Sequence, residues 1–319
     1  MKIPPWLPDL LDHIEDNITG DITLEKLASN TGYSVRHLQR QFKALTKENI
    51  GDYVRGRRLT LAMTDIMSSR KSILDIALEY GFQSQEAFTR AFQVRFGFPP
   101  RRFRLQNINN PITLRTKITA SYLEFIHSGA LDLNPALAII GPMLFVGVGT
   151  RVDGNAFQSS IWRQILLDAF EQLTQRRFDR EPDSPASFLI SYHENRISKD
   201  NNSCIHMLAA KRFEQRPTVP ECCECFAAPG GFYAVFNFKG EVNQLFERDN
   251  YILGTWLPHS GYWLGNAPAL VEMKMDIETN LLAAKMFIPL RKRSARFRDP
   301  WWRTDQVLAR FSSHSSTMS

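Results

Sequence analysis

The side chains of this chain best suited to a chemical task sit between Thr23 and Phe42, in TLEKLASNTGYSVRHLQRQF. Arg36, His37, Gln39 and Arg40 share a segment in which Leu38, Phe42 and Leu45 recur at helical spacing, so the polar set faces away from the apolar one. Arginine and glutamine form paired hydrogen bonds with base edges, and arginine also neutralises phosphate. Upstream, Leu24, Leu27 and Ala28 predict a first short helix, Gly32-Tyr33 a turn, and Ser34 the cap of the second helix. The pattern is a helix-turn-helix, although one copy alone also describes an amphipathic helix pair with a solvated face.

Other candidate chemistry is thinner. Cys204, Cys222, Cys223 and Cys225 include a CCEC run, but no second ligand pair follows at zinc spacing. They read as reduced thiols on or near a strand, and His259 as a loop residue. No metal and no cofactor is expected. No Gly-x-Ser-x-Gly, Gly-rich phosphate loop or His-rich metal motif occurs, so the residues do not ask for catalysis.

An internal repeat decides between the two readings of the first stretch. Leu24, Leu27, Ala28, Gly32 and Tyr33 recur 49 positions later as Ile73, Ile76, Ala77, Gly81 and Phe82. Beyond one inserted turn residue the offset is 50, and Leu38, Arg40, Phe42 and Tyr53 recur as Phe88, Arg90, Phe92 and Phe103. Between the copies, residues 50–67 predict one long helix with Arg55, Arg57 and Arg58 on its polar side, and residues 6–17 predict an opening helix. Phe96-Gly97-Phe98-Pro99-Pro100 ends the second reading helix, leaving Arg101, Arg102 and Arg104 available for phosphate. Two readers on one rigid connector can enter successive major grooves, about 34 Å apart, so a monomer suffices on DNA.

Charge and length agree with this reading. Of 319 residues, 43% are hydrophobic, enough for two domains with cores. Residues 1–107 hold 16 Lys+Arg against 12 Asp+Glu, a net of +4; residues 108–290 hold 16 against 19, a net of −3; residues 291–319 hold 7 against 2, a net of +5. A basic first third suits an anionic polymer. No apolar run approaches the roughly 18 to 20 residues of a membrane span, and the first residues carry prolines and acids, so no membrane is expected and the cytosol is the expected place. The fold class is multidomain: an all-α domain with two helix-turn-helix units over 1–107, a linker at 108–113, an α+β domain over 114–293, and a disordered basic, serine-rich tail over 294–319. Strands are expected at 138–151, 187–193, 203–213, 231–239 and 284–290, and helices at 159–173 and 242–257.

Residues 6–105 resemble the DNA-binding domain of the AraC/XylS family of bacterial transcription regulators, through GYSVRHLQRQFK, IGDYVRGRRL, ILDIALEYGFQSQEAFTRAF and FGFPPRRFR. They look most like the MarA/SoxS/Rob subgroup, and an N-terminal reader with a further domain behind it resembles the Rob arrangement. The resemblance implies DNA contacts from Arg36, Gln39 and Arg40 in the first reading helix and from Gln85, Thr89 and Arg90 in the second. It implies double-stranded promoter DNA and RNA polymerase as partners, with activation of stress or drug-tolerance genes. The subgroup typically has tryptophan where this chain has Arg36, which implies an altered preference in the first half-site, because arginine favours guanine or phosphate over thymine methyls.

The later half is similar to the GyrI-like small-molecule-binding domain, through Phe236–Gly240, Trp256, Ser260–Tyr262, Pro268–Glu272 and Phe287–Leu290. The resemblance places Glu272 at the base of an aromatic pocket with Trp256 and Tyr262, for a small amphipathic or cationic effector. Read by themselves, Glu272 can equally be a surface acid on an edge strand, and Trp256 and Tyr262 core residues. Lys285 stands where an acid is common, which weakens the demand for a cationic ligand. Some GyrI-like domains are hydrolases, so the alternative is an enzyme fused to a DNA-binding module, with Glu272 as general acid or base.

Overall fold

The computed structural model describes residues 3–106, 114–153, 161–193, 204–276 and 281–293. The expected linker and tail lie outside them. The chain folds as two compact units, one of residues 1–130 together with 243–263, the other of residues 131–242 and 264–319.

The first unit is helical. Leu7, Leu10, Leu11 and Ile14, spaced three and four apart, bury one face of α1 (Trp6–Asp16). The first helix-turn-helix is α2 (Leu24–Thr31) and α3 (Val35–Thr46), capped by the hydroxyls of Thr23 and Ser34. The connector α4 (Ile50–Ser68) has 19 residues, about 28 Å. The second copy is α5 (Ile73–Glu79), opened by a Ser72/Asp75 capping box, and α6 (Gln85–Phe96), capped by Ser84. Gly32 (φ 69°) and Gly81 (φ 73°) take the left-handed conformation that ends α2 and turns the chain after α5. The repeat thus records matching caps and turns as well as matching core positions. Phe88 packs between Phe82 and Phe92, and Phe92 meets both Phe96 and Phe103 from α7 (Pro100–Gln106).

After the undescribed linker the chain returns to α4 before entering α8 (Ala120–Ser128). Arg115 is fully buried there. Its guanidinium donates to Glu48 Oε1 and lies between the rings of Tyr53 and Tyr122, at 5.0 and 5.3 Å. Gly56 makes room for it, since a Cβ at that position would stand 3.2 Å from Arg115 Cγ. Arg57 grips Glu15 through Nε and Nη2 and donates Nη1 to the Arg115 carbonyl at 2.7 Å. Burial alone would raise the Glu15 carboxyl; bonds from Arg57 and Tyr53 more than reverse this and hold it low.

The connector's polar stripe therefore differs from expectation. The Arg57 side chain is 11% exposed, and Arg58 braces the turn after α1 by donating to the carbonyls of Ile18 and Gly20 at 2.7 and 2.6 Å. Arg104 ties the last turn of α4 to the chain that follows it, donating to the carbonyls of Ile66 and Lys71 at 3.0 and 2.8 Å. Of the arginines singled out there, Arg55 and Arg101 remain on the surface.

The segment 243–263 completes this unit. It runs as a short α-turn (Leu245–Asp249), a π-helix (Asn250–Trp256) and a last turn (Leu257–His259). Arg95 Nη2 donates to the Gly254 carbonyl at 3.1 Å, Trp263 Nε1 to the Val94 carbonyl at 3.1 Å, and the Tyr122 and Thr255 hydroxyls meet at 2.9 Å. His259, expected in a loop, ends the last turn beside Asp52 of α4.

The second unit is built on an antiparallel sheet: β1 (Ala136–Ile140), β2 (Met143–Asp153), β3 (Ser187–His193), β4 (Cys204–Phe213), β5 (Glu224–Ala228), β6 (Gly231–Gly240), β7 (Tyr262–Leu264), of which only Leu264 belongs to this unit, β8 (Ala269–Asp276) and β9 (Leu281–Lys292), with α9 (Ile161–Thr174) packed on β2 and β4. The main path is β1-β6-β9-β8-β3-β4-β2-β5. The single strand expected over 138–151 is two, divided at Gly141-Pro142, where proline supplies no N–H for a ladder. The α then α+β class is borne out. Among the described residues no helix is long and apolar enough to cross a membrane.

Candidate nucleic-acid interface

On α3, Leu38 and Phe42 are fully buried, which fixes the helix's rotation and turns Arg36, Gln39 and Arg40 to solvent. On α6, Phe88 and Phe92 do the same, and Gln85 and Arg90 are exposed with Thr89 half-buried beside them. Each predicted trio is thus brought onto one helix face, with the cap hydroxyl of Ser34 or Ser84 at its leading end. Helix N-termini and outward arginines together favour the phosphate backbone.

The two readers are not electrostatic copies. At an offset of 50, Arg36 corresponds to Glu86, which lies in the first turn of α6 with its carboxyl held low by its own backbone N–H, by Ser84 and, more weakly, by Arg90. The first reader also has a support that its spacing did not announce. The His37 ring lies 4.6 Å from that of Tyr33, Tyr33 packs edge-on to Trp6 at 5.6 Å, and His37 Nδ1 is 3.2 Å from Arg40 Nη2. An i,i+3 His–Arg pair was the available signal.

In the sheet unit Glu272 lies half-buried on β8, in register with Phe188 of β3 and Lys285 of β9. Its face of β8 also carries Leu270, which packs with Phe145, Phe188, Ile190 and Phe226. Trp256 and Tyr262 fall in the 243–263 segment, which groups with the helical unit, and both are half-buried. Trp256 lines a cleft of about 150 Å³ with Lys47, Tyr251, Thr255, His259 and Ser260. The acid of the CCEC run, Glu224, sits 2.5 Å from His206 Nε2, while Cys222, Cys223 and Cys225 are free thiols. Burial pushes the Cys223 and Cys225 thiols up, away from the thiolate a metal or nucleophile needs. Among the described residues no three His, Cys, Asp or Glu side chains are grouped to hold a metal.

Known proteins resemble one or both parts of this chain. A helix-turn-helix domain family matches residues 27–106, and the GyrI-like small molecule binding domain family matches residues 140–291. The multiple antibiotic resistance protein MarA of Salmonella typhimurium is 41% identical over 100 residues, 31% of this chain and 79% of that protein. The right origin-binding protein of Escherichia coli K12 is 43% identical over 96 residues, 30% of this chain and 33% of that protein. The transcriptional regulator Rob of Salmonella typhimurium is 43% identical over 260 residues, 78% of this chain and 83% of that protein. A relative this similar over most of both lengths, together with the two domain families matched in this chain, places the chain in the Rob-like group of AraC-type DNA-binding transcription regulators that carry a GyrI-like small-molecule-binding domain.

Proposed function

We propose that the protein binds promoter DNA as a monomer, placing α3 and α6 in successive major grooves and activating transcription by recruiting RNA polymerase. The observation that carries this reading is the duplicated cap, turn and buried aromatic or leucine set, which turns an arginine outward at Arg40 and again at Arg90. Arg36, Gln39 and Arg40 read one half-site and Gln85, Thr89 and Arg90 the other. Leu74 and Leu78, one turn apart on α5 and 44% and 54% exposed, give the polymerase an apolar foothold beside Asp75 and Glu79. The sheet domain takes a small amphipathic or cationic effector against Glu272 and adjusts how much protein is active, without catalysis.

The test is fluorescence anisotropy on a duplex selected by the wild-type protein from a randomised pool. Arg40→Ala and Arg90→Ala should each weaken binding by about 10- to 100-fold and relax base preference in one half-site only, at one protein per duplex by sedimentation. Unchanged affinity in either variant would sink the two-helix reading.

A further inference from the structure

His37 lies on the reading helix without standing out from it as Arg36, Gln39 and Arg40 do. It is half-buried, its ring packs on Tyr33, and Tyr33 is held in turn by Trp6. Its Nδ1 meets Arg40 Nη2 at 3.2 Å. A guanidinium can only donate, so in this bond Nδ1 is the acceptor.

We propose that His37 is a positioning residue for DNA reading: anchored on Tyr33 and Trp6, it holds the Arg40 guanidinium in one orientation before DNA arrives. A long exposed arginine gives up rotamer freedom when it engages a base, and one already oriented gives up less. The second reader has no such support. The residue 50 positions after His37 is Ala87, which has no side-chain acceptor, and Phe82, the counterpart of Tyr33, packs edge-on to Phe88 at 5.1 Å. The half-site under α3 is therefore read by a preorganised arginine, and the half-site under α6 by one without this buttress. The inference rests on the proposal that Arg40 contacts DNA, and its test separates the two.

The full chain is titrated against the same selected duplex. His37→Phe keeps a ring for Tyr33 and removes the acceptor; His37→Asn places an amide oxygen close to the position of Nδ1. We expect His37→Phe to weaken binding by about 3- to 10-fold, with the lost base preference confined to one half-site, and His37→Asn to recover to within about twofold of wild type. In an Arg40→Ala background, His37→Phe should add nothing. If Arg40→Ala weakens binding while His37→Phe binds like wild type, positioning is refuted and the Arg40 contact stands. If the His37→Phe loss persists without Arg40, or His37→Asn does not relieve it, the role of His37 is structural and the proposal fails. If Arg40→Ala itself binds like wild type, the underlying contact fails, and this inference with it.

Discussion

His259 joins the end of the π-helical segment to the start of the connector helix: its Nε2 is 3.3 Å from Asp52 Oδ2 and its Nδ1 is 2.6 Å from the Thr255 carbonyl. The Asp52 bond raises the imidazole's pKa, and the same bond draws the Asp52 carboxyl down to about 2. A raised histidine stabilises the fold fully below its unfolded value of about 6.5 and loses that contribution as pH rises through the folded value. A depressed aspartate stabilises fully above about 3.9 and loses its contribution as pH falls towards 2. The tie is therefore strongest between about pH 4 and 6.5. With side chains 44% and 32% exposed, solvent screening limits it to about 0.5 kcal/mol. Urea denaturation of His259→Gln should show that loss at pH 6 and close to none at pH 9; an equal loss at both would mean the bond is not ionic.

Arg115 and Glu48 form a pair with both side chains 1% exposed. Removing one partner strands the other charge in a low-dielectric site, which costs about 3–5 kcal/mol. Arg115→Ala and Glu48→Ala should each lower stability on that scale in guanidinium denaturation. The double variant should lose clearly less than the two losses added together, and strict additivity would show that the charges do not depend on each other.

The two turn glycines should respond unequally to alanine. At Gly32 a Cβ would meet nothing within 4 Å, so only the left-handed backbone resists, about 1 kcal/mol. At Gly81 the same Cβ would stand 2.7 Å from Arg58 Nη1 and disturb the guanidinium that braces the turn after α1. Gly81→Ala should therefore cost more, by about 1 kcal/mol or above, and the excess should vanish when Arg58 is already alanine. Equal melting shifts for Gly32→Ala and Gly81→Ala would contradict this.

The proposed effector site has its own signature. Glu272 and Lys285 are register partners across β8 and β9, so the lysine opposes any cation drawn to the glutamate. Crystal violet, an aromatic lipophilic cation, should bind about tenfold more weakly to Glu272→Gln and more tightly to Lys285→Ala by equilibrium dialysis. Glu272→Gln binding the dye as wild type does would remove Glu272 from the site.

The amino-acid sequence by itself determined the two reading units, because helix period, cap hydroxyls and turn glycines act over a few residues and show in any window that contains them. Ser34, Gly32 and Gly81, Phe42 and Phe92 all occupy in three dimensions the roles their spacing assigned, and Ser84 caps the second reading helix as Ser34 caps the first. The strands rich in Phe, Val and Ile were legible for the same reason. β8, where Glu272 and Lys274 interrupt the apolar run, and the five-residue β5 were not. Only the tertiary structure decided which arginines are held by distant parts of the chain. Arg57, Arg58 and Arg104 look in sequence like Arg40 and Arg90, but they are engaged by Glu15 and by backbone carbonyls at or just after helix ends, 33 to 42 residues away along the chain. Tertiary packing also decided that residues 243–263 group with the helical unit and that His259 is an ion-pair partner. The strand order β1-β6-β9-β8-β3-β4-β2-β5 was settled the same way. The partners in each case are distant along the chain, and periodicity records which face of an element is apolar without recording what will cover it.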